Sequence, residues 1–171
     1  MIPRERTVRT GRATGVRIEP VLSTALLAEL LSPGPRLWLV SPWISDVAVL
    51  DNSRGGYDSL VPEAAARTYR LSDMLSALAE SGAVVTVVTR PDAHNKRFRS
   101  VLERRTTRPI RVVEDPDVHE KTLCGETWLL TGSMNFTLRG MQVNDEAMSY
   151  QLNPTAAAQA RLEFTRRWGQ L

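Results

Sequence analysis

Three features of the sequence predict an α/β protein built on a mixed β-sheet flanked by helices on both faces. Segments with helical spacing alternate with short apolar or β-branched runs as far as residue 114. A late run of strand-like segments then covers residues 118–152, before a closing helical segment. The third feature is size: 171 residues, 42% hydrophobic and 24% charged, are enough for one globular domain with its own core.

Taken in order, residues 1–17 hold five Arg and one Glu with little periodicity, and read as a flexible basic arm ahead of a single domain over 18–171. Val21–Leu31 places Leu, Ala and Glu at helical spacing, and Pro33-Gly34-Pro35 ends the helix. Leu37–Val40 is a buried strand. Residues 42–69 are long and irregular, and loops of that length are usually functional or mobile; Arg54 and Tyr57 are candidates there by location alone. Ser72–Ser81 reads as a short helix with Ser72 as N-cap and Gly82 as its stop. Ala83–Thr89 is a β-branched strand. His94–Arg105 is a helix with Phe98, Val101 and Leu102 on its apolar side, and Ile110–Glu114 is a strand. Val118–Cys124, Thr127–Thr131 and Ala147–Leu152 follow as strands, and Pro154–Trp168 closes the chain as a helix. There is no internal repeat, so the chain carries one copy of whatever motif it holds.

Composition narrows the function classes. No apolar run approaches a membrane span and the N-terminus has no signal-peptide core, so no membrane partner is expected, and the lone cysteine makes a reducing cytoplasm the expected location. The single cysteine, Cys124, cannot form an internal disulfide and reads as a small buried hydrophobe. The net charge is +3, with Lys only at positions 96 and 121 and Arg supplying the other cations. That balance mildly favours a polyanionic partner. Trp38, Trp43 and Trp128 read as core or pocket walls rather than base-stacking platforms.

The chemistry concentrates in one segment, Val118 to Asn135. In an extended strand alternate side chains share a face, so His119 and Lys121 point the same way, and so do Ser133 and Asn135. An imidazole, an ammonium, a hydroxyl and an amide on neighbouring strands make an anion site with a nucleophile inside it. This combination suits phosphodiester chemistry without a metal or other cofactor.

The order His119-x-Lys121, four residues, Glu126, then Gly132-Ser133-x-Asn135 and Asn144-x-Glu146 resembles the phospholipase D superfamily and its HKD motif. Leu37–Val40 with Ser41-Pro42-Trp43-Ile44 resembles the opening strand of those domains, and the resemblance covers roughly residues 36–152. One position departs from the pattern: the motif acid is Glu126, where the family has Asp. The resemblance implies a phospholipase D-like fold and a mechanism with two histidines, one forming a phosphohistidine and the other acting as general acid. A single-motif chain would obtain the second histidine by pairing into a symmetric homodimer.

Physical chemistry assigns matching roles. Neutral imidazole is a competent nucleophile near neutral pH. Lys121 and Asn135 are expected to hold the anionic oxygens, with Ser133 as a further donor. Glu146 is expected to orient His119 and hold its tautomer, as a carboxylate does in a triad. A second His-x-Lys occurs at His94-Asn95-Lys96, but Val101 stands where its acid would fall and no Gly-Ser-x-Asn follows. It reads as the polar start of a helix on which Lys96, Arg97, Arg104 and Arg108 form a candidate phosphate-tracking face.

The sequence therefore points to a small metal-independent phosphodiesterase acting on DNA as a homodimer, resembling small bacterial endonucleases of the superfamily. The competing readings are a non-catalytic DNA-binding or assembly module of the same fold, serving other proteins of a multi-protein system, and a phospholipid-acting enzyme.

Overall fold

From the N-terminus the elements run β1 (Arg4–Thr10), α1 (Glu19–Leu31), β2 (Arg36–Val40), β3 (Ala48–Asp51), β4 (Thr68–Arg70), α2 (Leu71–Glu80) and β5 (Val84–Thr89). They continue as α3 (Ala93–Arg105), β6 (Arg111–Glu114), β7 (Thr122–Cys124), β8 (Trp128–Gly132), α4 (Leu138–Gln142), β9 (Glu146–Leu152) and α5 (Pro154–Trp168). The computed structural model describes residues 4–11, 13–61, 67–105 and 107–169.

Seven strands form one mixed sheet in the order β1-β9-β8-β7-β2-β5-β6. β2, β5 and β6 are parallel, joined through α2 and α3, while β7, β8, β9 and β1 add on antiparallel. This is the mixed sheet the element order predicts. β2 shows why helices cover both faces. Leu37 and Leu39 enter a core shared with α1, α2 and α3, whereas Trp38 and Val40 enter a second core under α5. A strand buried on both faces reads as a continuous apolar run, which is what Leu37–Val40 is. In the second core Trp38 meets Phe164 at 5.6 Å between ring centroids, and Phe164 meets Trp168 at 5.6 Å. Each fully buried side chain of this size contributes about 1.5–3 kcal/mol.

Local signals explain the helix ends. Asn153 caps α5 by accepting from Ala156 N at 3.1 Å, and Pro154 follows where its missing N–H costs nothing. α2 is capped at Arg70 and not at Ser72, because Asp73 reaches back to accept from Arg70 N at 2.7 Å. Ser72 instead lies fully buried in the first turn. Gly82, at φ 103°, supplies the left-handed residue just beyond α2.

Four elements are missing from the sequence reading. The basic arm expected over 1–17 is, at Arg4–Thr10, a regular edge strand paired with β9 along its full length. Its Val8 is buried while Arg4, Arg6 and Arg9 stay exposed, so arginines occupy an edge strand whose anchor is its backbone. Met1–Pro3 and Arg12 lie outside the described residues. The long stretch 42–69 contains the hairpin partners β3 and β4, and the loop from 133 to 145 contains the five-residue helix α4.

Asn95 holds the loops above β2 and β5. It is fully buried, accepts from Ile44 N at 2.8 Å and donates to Pro42 O and Arg90 O at 2.9 Å each. Asn95→Ala should leave the buried Ile44 N without its partner, while Pro42 O keeps Thr89 and Arg90 N and Arg90 O keeps Asp92 N, and lower stability by about 1–3 kcal/mol. Chemical denaturation checks this; a loss under about 0.5 kcal/mol would show that these bonds do not hold the loops.

Candidate active site

The sheet register gathers the motif at one edge. Val40 at the end of β2 pairs with Thr122 at the start of β7. Thr122 pairs with Thr131 near the end of β8, and Gly132 pairs with Met148 near the start of β9. Residues immediately beyond these ends therefore converge: Ser41, Arg90, His119, Lys121, Ser133, Asn135 and Glu146. Gly132 is required by this closeness, since a Cβ there would collide with the Ala147 carbonyl oxygen.

His119 and Lys121 lie just before β7, outside regular strand. They still share a side: His119 is exposed, Lys121 is 8% exposed, and the Lys121 ammonium sits 3.5 Å from His119 Nδ1. Lys121 Nζ also donates to His119 O at 2.5 Å. Burial, together with the Arg90 guanidinium, holds the Lys121 ammonium below the ordinary lysine range, while Glu146 pulls the other way.

Ser133 and Asn135 differ from the expected shared face. The Ser133 hydroxyl donates to Glu146 Oε2 and accepts from Ala147 N at 3.0 Å. Asn135 turns inward, where its Oδ1 lies 3.4 Å from the buried Ser41 hydroxyl. Glu146 also accepts from Asn144 Nδ2 at 3.3 Å. Among the described residues its hydrogen bonds run to Ser133 and Asn144, and not to His119. In this arrangement Glu146 faces Lys121 electrostatically and fixes Ser133, in place of the triad-like grip on His119.

Glu126 is not part of this cluster. It occupies the β7–β8 turn, at the end of the strands opposite His119, and pairs with Arg161 of α5 at 2.9 Å. Arg161 also donates to Gly125 O and Glu126 O, at 2.7 Å and 2.6 Å. A carboxylate in that turn clamps α5 to the sheet, and an acid one methylene longer still reaches Arg161. Spacing along the chain suggested a catalytic acid; the antiparallel reversal carries it away from the site.

Lys96, Arg97 and Arg104 are exposed along α3, and Arg108 lies beyond its end with its backbone N donating to Glu80 at 3.3 Å. None of the four hydrogen bonds to the residues around His119 among those described. Two contributors escaped the sequence reading. Ser41 supports Asn135, and Arg90 donates from Nε to Val118 O at 3.0 Å while stacking over Trp43 at 5.2 Å. The signal for Arg90 was its position directly after the buried parallel strand β5, at the carboxyl end where α/β sheets place ligands.

Tests for other chemistry are simple. Among the described residues no three His, Cys, Asp or Glu side chains group closely enough to hold a metal ion. Burial pushes the Cys124 thiol up to about 11, so it is inert packing. No helix among the described residues is long and apolar enough to cross a membrane.

An exposed imidazole thus stands beside a buried ammonium at the carboxyl edge of a mixed sheet. The chain belongs to the phospholipase D superfamily: residues 47–168 match the family described as "Cardiolipin synthase, PLD-like domain". Its fold is similar to that of a phospholipase D family member, Nuc, from Salmonella typhimurium (TM-score 0.64, 16% identity, covering 98% of this chain and 95% of that one). It is also similar to NucT from Helicobacter pylori (TM-score 0.63, 9% identity, 96% and 94% covered). The same fold recurs in polyphosphate kinase from Porphyromonas gingivalis (TM-score 0.63, 15% identity), where 95% of this chain covers 25% of that one. No curated protein matches the sequence.

Lys121 yields a test in which stability and activity separate. Its charged form is disfavoured by folding, so the charge costs stability at any pH below its folded pKa, and the cost fades as pH rises past it. Lys121→Met should unfold no more than about 2 °C lower than wild type, or higher, while losing phosphate-ester activity by about 10³-fold. Lys121→Arg keeps its charge to higher pH, so any activity it retains should persist further into the alkaline range. A matching alkaline limb in wild type and Lys121→Arg would exclude the ammonium as the group that titrates.

Proposed function

We propose that this chain is a metal-independent phosphodiesterase that cleaves DNA through a phosphohistidine on His119, with a homodimer supplying the second histidine. The observation that carries the reading is the pairing of exposed His119 with buried Lys121, with Glu146 acting on that ammonium and Ser133 and Asn135 at the neighbouring strand end, in a chain of this superfamily.

The chemistry follows from that pairing. An arriving phosphodiester competes for the Lys121 ammonium and draws it off His119 Nδ1. Nδ1 can then carry the ring proton, leaving a lone pair on Nε2 to attack phosphorus. The N–P bond forms as the bond to the leaving oxygen breaks, and the partner copy's imidazolium gives that oxygen its proton. Water then attacks phosphorus, its proton passing to the partner's imidazole, and the N–P bond breaks to restore His119. Lys121, Asn135 and Arg90 supply positive charge and donors around the phosphate oxygens, in a site dry enough to strengthen them. Lys96, Arg97, Arg104 and Arg108 carry the flanking polyanion.

The three parts are tested separately. His119→Ala should abolish cleavage with the fold intact by circular dichroism, because an exposed imidazole contributes little to the core. Cleavage should survive chelation by EDTA, since hard divalent ions want oxygen-rich sites and this one offers a single nearby carboxylate; a requirement restored by adding Mg²⁺ would contradict the mechanism. Light scattering should give twice the chain mass, and mixing His119→Ala with wild-type chains should lower activity per wild-type site. A fully active monomer would sink the shared site, and an inactive protein that binds DNA would establish the binding-module reading.

The polyanion assignment has its own readout. DNA affinity should fall steeply as salt rises, and changing Arg97, Arg104 and Arg108 together to Ala should flatten that slope by about 0.7–0.9 per lost phosphate contact. Affinity indifferent to salt, or preference for phospholipid vesicles in competition, would move the assignment to a lipid or protein partner.

A further inference from the structure

A groove of about 760 Å³ runs between α3, the segment after β2 and the start of α4. His94, the histidine left out of the HKD site, stands in its wall with Ser45, Arg70, Arg97, Val101 and Leu138. The groove adjoins the candidate active site through the backbone. Ser45 N donates to Phe136 O at 2.8 Å, one residue beyond Asn135, and the buried Asn95 ties Pro42, Ile44 and Arg90 to the base of α3.

Its charge is one-sided. Arg97 is exposed, and neither Arg97 nor Arg70 enters an ion pair among the described residues. Arg70 spends one guanidinium nitrogen on Asp46 O at 2.6 Å, and Arg105 is paired with Asp73. The one acid in the wall, Asp46, uses its carboxylate on Ser72 N at 2.9 Å. Beside these cations lies apolar surface: Leu138 is 57% exposed and Val101 is half-buried. The His94 Nε2 is 2.9 Å from the Ser45 hydroxyl, which fixes the ring at the groove edge.

We propose that this groove binds an unpaired stretch of the DNA strand flanking the scissile phosphate, with Arg97, Arg70 and His94 at a neighbouring phosphate and a base laid against Leu138 and Val101. The assignment rests on the DNA phosphodiesterase reading above. Cations alone would suit a duplex equally well. Apolar surface among them favours bases that have left the stack, because a duplex keeps its base faces inside. Lys96, Arg104 and Arg108 are not in the groove wall, so the groove separates Arg97 from the rest of the basic face of α3.

The chain has two histidines, so in the His119→Ala protein His94 is the sole imidazole. Its carbethoxylation by diethyl pyrocarbonate should slow roughly fivefold or more when the groove is saturated with oligothymidylate, and much less with an equal mass of duplex. In the same background, Arg97→Glu and Leu138→Asp should each weaken oligothymidylate binding about tenfold more than Arg166→Glu, which makes the Arg97 charge change on α5 across the sheet. Unchanged His94 reactivity, equal protection by duplex, or equal losses for Arg97→Glu and Arg166→Glu would overturn the groove while leaving DNA cleavage by wild type standing. A wild-type protein that neither binds nor cleaves DNA would overturn both.

Discussion

Everything at the candidate site depends on β7 lying antiparallel to β2. Val40 opposes Thr122, Thr122 opposes Thr131, and Thr131 opposes Ser149, so one line across four strands sets where each strand ends. The side chains beyond those ends meet because the line is straight. The register is enforced from both faces: Leu123 enters the core under α1–α3 and Cys124 the core under α5. A slip of one residue would exchange the two faces of β7 and bury its polar neighbours.

Polar ties beyond the strand ends then hold the loops around the candidate site. Asn95 gathers Pro42, Ile44 and Arg90; Ser41 supports Asn135; Ser133 and Ala147 exchange hydrogen bonds across the β8–β9 junction. The buried members, Asn95 and Ser41, are expensive to leave unpaired, which makes them good at specifying one loop geometry. Lys121 uses the same physics in reverse. Its ammonium is carried partly out of water, which disfavours the charged form and strengthens any electrostatic interaction it makes.

Low identity with a shared fold has a plain reason here. The chain resembles Nuc over nearly its whole length at 16% identity. The sheet asks only for apolar side chains of suitable size alternating between two cores, and many residues meet that demand. The motif acid illustrates the latitude. Glu126 answers to an arginine on α5 and not to the candidate site, so its length matters to that clamp.

The fold class was legible in the sequence because its evidence is periodic. The alternation of helical and strand spacing, the buried run Leu37–Val40 and the stop at Gly82 each act within a few residues of chain. Motif order also singled out His119, Lys121, Ser133, Asn135 and Glu146, which the sheet register places near one another at one set of strand ends. What the sequence by itself determined is thus the set of elements with strong local signals and the candidate side chains of the motif. β1, with its exposed arginines, and β3, β4 and α4 lacked such signals; they exist through pairing with strands distant in sequence or through a one-turn cap. Only the tertiary structure decided that Glu126 leaves the site, that Glu146 grips Ser133 instead of His119, and that Arg90 and Ser41 join it. Each of these turns on strand direction and register, which bring together residues from thirteen to ninety-four positions apart and leave no trace in local spacing.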